Sequence, residues 1–250
     1  MSNVKYVLMC ALGAAAGFLL FRWVRRRSVC RSARGPQNAP VQGALIDDVL
    51  PMYEFGDRVG VELQARPAQI FEALKEVTLA EMPLAKTLGE LRYLPARLTG
   101  RMRVSADDVP FMNLVLGKGT IVLAEEPQRE IVTGTIGKFH NLLDQQVVPI
   151  RDADEFYRFD DPVYQKLVMS IRVREADTAG VYRLELEHRT HALSPSARRR
   201  FAGYWLIIRP GGAFVTKLLL HAVRRRAEAA GLQAGGGNAH TAVPTSCAAA

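Results

Sequence analysis

The sequence predicts an α+β fold in which curved antiparallel strands wrap around one long C-terminal helix, preceded by a transmembrane helix. Three observations carry this. Two alternating segments, 166–174 and 181–191, are separated only by Ala176-Asp177-Thr178-Ala179-Gly180. A helix-spaced run follows from Pro195 to about Ala230. Near the N-terminus, residues 4–24 are apolar almost throughout.

The N-terminal run VKYVLMCALGAAAGFLLFRWV has the length of about 20 residues that a bilayer core demands of a helix. Arg22, Arg25, Arg26 and Arg27 follow it directly, with Arg31 and Arg34 beyond, whereas only Lys5 precedes it. Lys and Arg are retained on the cytoplasmic side, so the rest of the chain is expected in the cytoplasm, anchored to the cell (inner) membrane by a single span. No small-residue cleavage site separates the apolar run from the arginines, which argues against a removed signal peptide. Gly13 and Gly17 form a GxxxG pair that allows close helix–helix approach, a route to a homodimer.

Charge is distributed unevenly. The 250-residue chain carries +8, but seven of its 33 basic residues precede residue 45, leaving 26 against all 25 acidic residues. The remainder is therefore near neutral, and the excess belongs to the juxtamembrane segment facing anionic headgroups. No nucleic-acid-binding signature is present, and none is expected to bind. The cysteines, Cys10, Cys30 and Cys247, all lie outside the expected globular span, which excludes a disulfide framework or a cysteine metal site there.

Residues 25–44 are basic at the start and rich in Pro, Gly and Ala, and are expected to form a flexible linker. Residues 231–250 are low in complexity and expected to be a disordered tail. One domain, 45–230, lies between them. It opens with an alternating strand over 53–64 that sets Val59, Val61 and Leu63 on one side. Pro67 starts a helix with Ile70, Phe71 and Leu74 on one face. A short helix is expected over 84–91, and strands over 118–124 and 129–138.

In 166–174, Leu167, Met169, Ile171 and Val173 share a face, and Arg172 and Arg174 take the other. In 181–191, Tyr182, Leu184, Leu186, His188 and Thr190 face inward, against Arg183, Glu185, Glu187 and Arg189. The five-residue link is a hairpin turn. The charged sides are expected to form a solvated face, Arg172 and Arg174 pairing with Glu185 and Glu187. Ser194 caps the final helix, on which Phe201, Trp205 and Ile208 form a buried stripe. Pro210-Gly211-Gly212 is expected to kink or break it.

The segment 197–228 (ARRRFAGYWLIIRPGGAFVTKLLLHAVRRRAE), with 58–77 and 125–139, is similar to a bacterial membrane-associated subgroup of the START-like, or SRPBCC, superfamily. The resemblance covers roughly residues 52–228 and implies a helix-grip fold. It also implies a cavity between sheet and C-terminal helix, in a superfamily of lipid carriers, hydrophobic-ligand receptors and polyketide cyclases. An antiparallel sheet covered by one helix leaves apolar space independently of that resemblance. The residues expected to line it are Phe139, Met169, Ile171, Tyr182, Leu184, Leu186, Phe201 and Trp205, and the ligand a hydrophobic small molecule or lipid.

Chemistry is sparse. His188 and Tyr182, on one inward face, are candidates for polarising a carbonyl or moving a proton, the basis of a cyclase- or dehydratase-type alternative. A structural module with a filled core is the third reading. His188 and His191, three apart on a strand, point to opposite faces and cannot share a metal. The acidic stretch Asp152, Asp154, Glu155, Asp160 and Asp161 lacks calcium-loop spacing and reads as a solvated loop. No metal or cofactor is expected. The C-terminal helix carries eight basic residues against Glu228 alone, a charge balance that suits a membrane surface.

Overall fold

The computed structural model describes residues 43–88, 109–116, 119–140 and 146–236. The expected anchor 4–24 with Gly13, Gly17 and Arg22 to Arg27, the expected linker up to residue 42, and residues 237–250 of the expected tail lie outside them. The elements are α1 (Leu45–Val49), β1 (Phe55–Leu63), α2 (Pro67–Glu76), α3 (Phe111–Leu116), β2 (Thr120–Glu126), β3 (Glu130–Lys138), β4 (Gln146–Val148), α4 (Ala153–Arg158), β5 (Gln165–Glu175), β6 (Tyr182–Ala192) and α5 (Pro195–Gly236). Residues 83–88 are also helical, which covers the described part of the helix expected at 84–91.

The six strands form one antiparallel sheet in the order β1-β6-β5-β3-β2, with β4 on β3. Alternation sets the pairing. Val59, Val61, Leu63, Ile171, Val173, Leu184 and Leu186 share the face on which α2 and α5 pack, meeting Ile70, Leu74, Leu219, Leu220 and Val223. Gly180, at φ 76°, supplies the left-handed residue that closes the β5–β6 turn. Ser194 Oγ accepts from the Ala197 amide at 3.1 Å, capping α5 as expected.

The charged face is not solvated. Glu130, Arg172, Glu185 and Arg189 are each less than 10% exposed. The sequence reading missed what covers them: α1, with α4 beside it, packs across this face through Ile46, Val49, Leu50 and Phe156. The backbone of α1 is held by the charges themselves. Arg189 Nη1 donates to the carbonyls of Ile46 (3.3 Å) and Leu50 (3.1 Å), and Nη2 to Asp47 at 2.6 Å. Its Nε donates to Glu187 at 2.8 Å, which Arg58 also grips. Glu130 accepts from the Leu45 amide at 3.0 Å and from Ser170 at 2.6 Å. The cross-strand pairing is correspondingly rearranged: Arg174 does meet Glu185, at 3.4 Å, but Arg172 turns to Glu130 at 3.8 Å. Buried charges persist where each finds opposite charge and hydrogen bonds.

Two further expectations are corrected. The first part of the acidic stretch is the helix α4 rather than a loop, while Asp160 and Asp161 lie exposed in the loop beyond it; Asp152 caps α4, accepting from the Glu155 amide at 2.8 Å, and Phe156 anchors it in the core. The helix α5 neither breaks at Pro210 nor ends at residue 230, but runs unbroken from Pro195 to Gly236. Pro210 is on the exposed side, where the carbonyl it leaves unbonded is open to water, while Phe201 and Leu219 to Val223 pin the helix on either side. Residues Pro195–Leu232 are long and apolar enough to cross a membrane by length and composition, although 22% of the most apolar window is buried in the domain.

Candidate functional site

The helix α5 packs on β1, β6 and α2, at one side of the sheet. This leaves the middle of the apolar face thinly covered, and β5 registers the result. On its charged side Lys166, Val168, Ser170 and Arg172 are all buried; on its apolar side Leu167 and Met169 are only half-buried. At Leu167 and Met169 the apolar side is therefore the more open of the two, while further along the same side Ile171 and Val173 are sealed.

Register fixes the floor of this opening. Asp57 of β1 stands opposite His188 of β6, His188 opposite Met169 of β5, and Met169 opposite Thr133 of β3. Arg209 of α5 reaches Asp57 at 3.4 Å, which places the middle of the helix beside this row. The sheet-facing stripe of α5 runs Phe201, Trp205, Ile208, Gly212, Thr216, Leu219, Val223, at spacings of three and four. Only Gly212 in that stripe lacks a side chain, and a Cβ built there meets nothing within 4 Å. Among the described residues, a gap open to solvent therefore borders the sheet-facing side of the helix at this level.

Aromatic rings close one end of the gap. Phe201 meets Phe55 edge-on at 4.9 Å and stacks on Trp205 at 5.9 Å, and Trp205 meets the His188 ring at 5.7 Å. At the other end Ile171, Leu184 and Leu186 pack with Leu219, Leu220 and Val223. Apolar side chains and two polar groups, His188 and the Asp57–Arg209 pair, border this gap, while the Thr133 hydroxyl is buried and donates to the Met169 carbonyl at 3.4 Å.

Of the residues expected to line a cavity, the structure brings Phe201 and Trp205 together with His188, and places Met169 in the open row. Ile171, Leu184 and Leu186 are fully buried and serve as core beside the recess. Phe139 stands past the end of β3, its ring against Gly137. Tyr182 lies opposite Leu63, six residues along β6 from His188. At about 3.4 Å per residue that is roughly 20 Å, so the two do not act on one carbonyl. His191 faces away from His188, toward Glu54, as the alternation requires. Sequence reasoning missed Phe55, the Asp57–Arg209 pair and the gap at Gly212. The alternation of β1 carries a signal for Phe55 and Asp57, four and two residues before Val59.

Burial pushes the His188 pKa below its ordinary value of 6.5; Arg209 adds to this, while Asp57 and Glu187 oppose it. The folded protein therefore holds His188 neutral where the unfolded chain begins to protonate. Stability contributed this way is present above pH 6.5 and is lost as pH falls below it. Replacement His188→Phe is expected to flatten the decline in stability just below pH 6.5, by at most about tenfold in the folded-to-unfolded ratio per pH unit. Urea denaturation of both proteins at successive pH values checks this; parallel profiles would show that His188 is protonated equally in both states. Neither a family model nor a curated protein matches the chain.

Proposed function

We propose that this chain is a membrane-anchored, START-like binding protein that holds a hydrophobic small molecule or lipid between the sheet and its C-terminal helix. In this reading the N-terminal span fixes the domain to the cytoplasmic side of the inner membrane, close to the source of an apolar ligand. The observation that carries it is the empty position at Gly212, in the middle of a stripe otherwise filled by apolar side chains and Thr216, above the half-open row Met169–His188. A carrier or sensor is favoured over the cyclase-type alternative because Tyr182, the partner that alternative assigns to His188, is at the far end of β6.

Gly212→Leu separates the readings. Replacing a helical glycine removes a propensity penalty of about 1 kcal/mol. If the gap is a binding site, the new side chain fills it, stability rises or is unchanged, and uptake of a fluorescent fatty acid by the chain lacking residues 1–39 falls at least about tenfold, or 1.4 kcal/mol. Uptake equal to that of the unsubstituted protein places the ligand elsewhere. No uptake by either protein leaves a structural module with a filled core.

A further inference from the structure

The outer side of α5 carries a second pattern. Gly203, Ile207, Pro210 and Phe214 follow one another at spacings of four, three and four on the side opposite the packed stripe, with Leu206 beside them. Ile207 is 75% exposed, and Leu206 and Phe214 are each 46% exposed. Cations bracket this apolar ridge, Arg199 and Arg200 before it and Lys217 after it. The helix's ion pairs use Arg209, Arg224 and Arg226; Arg199, Arg200 and Lys217 have no carboxylate partner among the described residues. Glu228 is the helix's only acidic residue.

From this we infer that the outer face of α5 is an interfacial contact for an anionic lipid bilayer, with Leu206, Ile207 and Phe214 entering the headgroup boundary and the bracketing cations meeting lipid phosphates. Apolar side chains on one face with cations beside them are what holds a helix in the plane of a membrane. The helix does not cross it: Ala197 and Phe201 at one end and Leu219 to Val223 toward the other are packed against the domain, so α5 lies along the sheet. A second copy of the chain fits this face poorly. Three part-exposed side chains supply far less than the roughly 800 Å² per partner of a stable interface, and the unpaired cations of two copies would repel. The inference rests on the membrane half of the proposed function and not on the ligand half.

The full chain, with Cys10, Cys30 and Cys247 replaced by Ser, carries one environment-sensitive fluorophore, either through Ile207→Cys or, as a control on the β5–β6 turn, through Asp177→Cys. Each protein is reconstituted into vesicles of phosphatidylcholine, alone or in equal parts with phosphatidylglycerol, containing lipid spin-labelled on its acyl chain. The expected result is loss of most fluorescence at 207 in the anionic vesicles, restored by salt and by Arg199→Gln, Arg200→Gln and Lys217→Gln together, with no loss at 177. Three outcomes overturn the inference. Protein that does not float with the vesicles removes the membrane reading itself. Protein that floats with an unquenched, water-accessible probe at 207 removes the docking face and keeps the anchor. A probe at 207 shielded from aqueous iodide but indifferent to the spin label shows a protein surface there instead, from a second copy or from the N-terminal run.

Discussion

Arg189→Ala is expected to cost about 3–5 kcal/mol of folding stability, read as a lowered urea midpoint. The side chain is 3% exposed and satisfies four groups at once: the carboxylates of Asp47 and Glu187 and the carbonyls of Ile46 and Leu50. Removing it leaves Glu187 with Arg58 alone, and takes from the Leu50 carbonyl its side-chain donor and from the Ile46 carbonyl a second one, a larger loss than any surface pair could give. The damage should be local. Because α1 is held to the sheet by these bonds, its amides should exchange with solvent faster than those of β5 and β6 in the variant. Asp47→Ala serves as the comparison. Asp47 is 31% exposed, so its loss leaves Arg189 with Glu187 and water, and the effect should be much smaller. Equal effects from the two substitutions would show that the charged face is wetter than its burial indicates.

Phe201→Ala is expected to be comparably severe, about 3–5 kcal/mol, because the ring is 2% exposed and touches Phe55, Tyr204 and Trp205. Trp205→Ala should be milder in stability, since Trp205 is only half-buried, but it removes the ring that meets His188 across the recess. The two variants therefore divide packing from binding. Phe201→Ala should lower the thermal midpoint strongly. Trp205→Ala should lower it less and weaken retention of a bound fatty acid. If retention survives Trp205→Ala while stability drops, Trp205 belongs to the core and the recess does not extend to it.

What could be read in the sequence was the part governed by period. Strict alternation placed β1, β5 and β6 and their inward faces, and the Ser194-Pro195 start located α5. The faces themselves were harder. Arg172, Glu185 and Arg189 look like solvated residues in any alternating pattern; what buries them is a five-residue helix, α1, too short to leave a periodic signal. Likewise Asp152 to Arg158 has the charge of a loop, and only its cap and the buried Phe156 make it a helix. Pro210-Gly211-Gly212 was read as an interruption because both residue types disfavour helix interiors. The helix continues because Pro210 faces water, and Gly212 then becomes a missing side chain in a continuous stripe. The recess follows from that substitution of an absence for a break, which periodicity alone does not reveal.

The pairing of β1 with β6 also bears on how this protein is made. Contacts such as Arg58 with Glu187 join residues 129 positions apart, so the first strand has no neighbour until the last strand has been synthesised. At roughly 5–20 residues per second the ribosome takes about 6–26 s to cover that distance. Throughout it, Val59, Val61 and Leu63 form an unpaired, apolar strand on a nascent chain whose N-terminal run is expected in the membrane. Such a strand is a template for wrong partners. Its alternate positions carry Arg58 and Glu62, and the glycines Gly56 and Gly60. These charges and flexible points are of the kind that discourage an orphan strand from recruiting another chain before its own partner arrives.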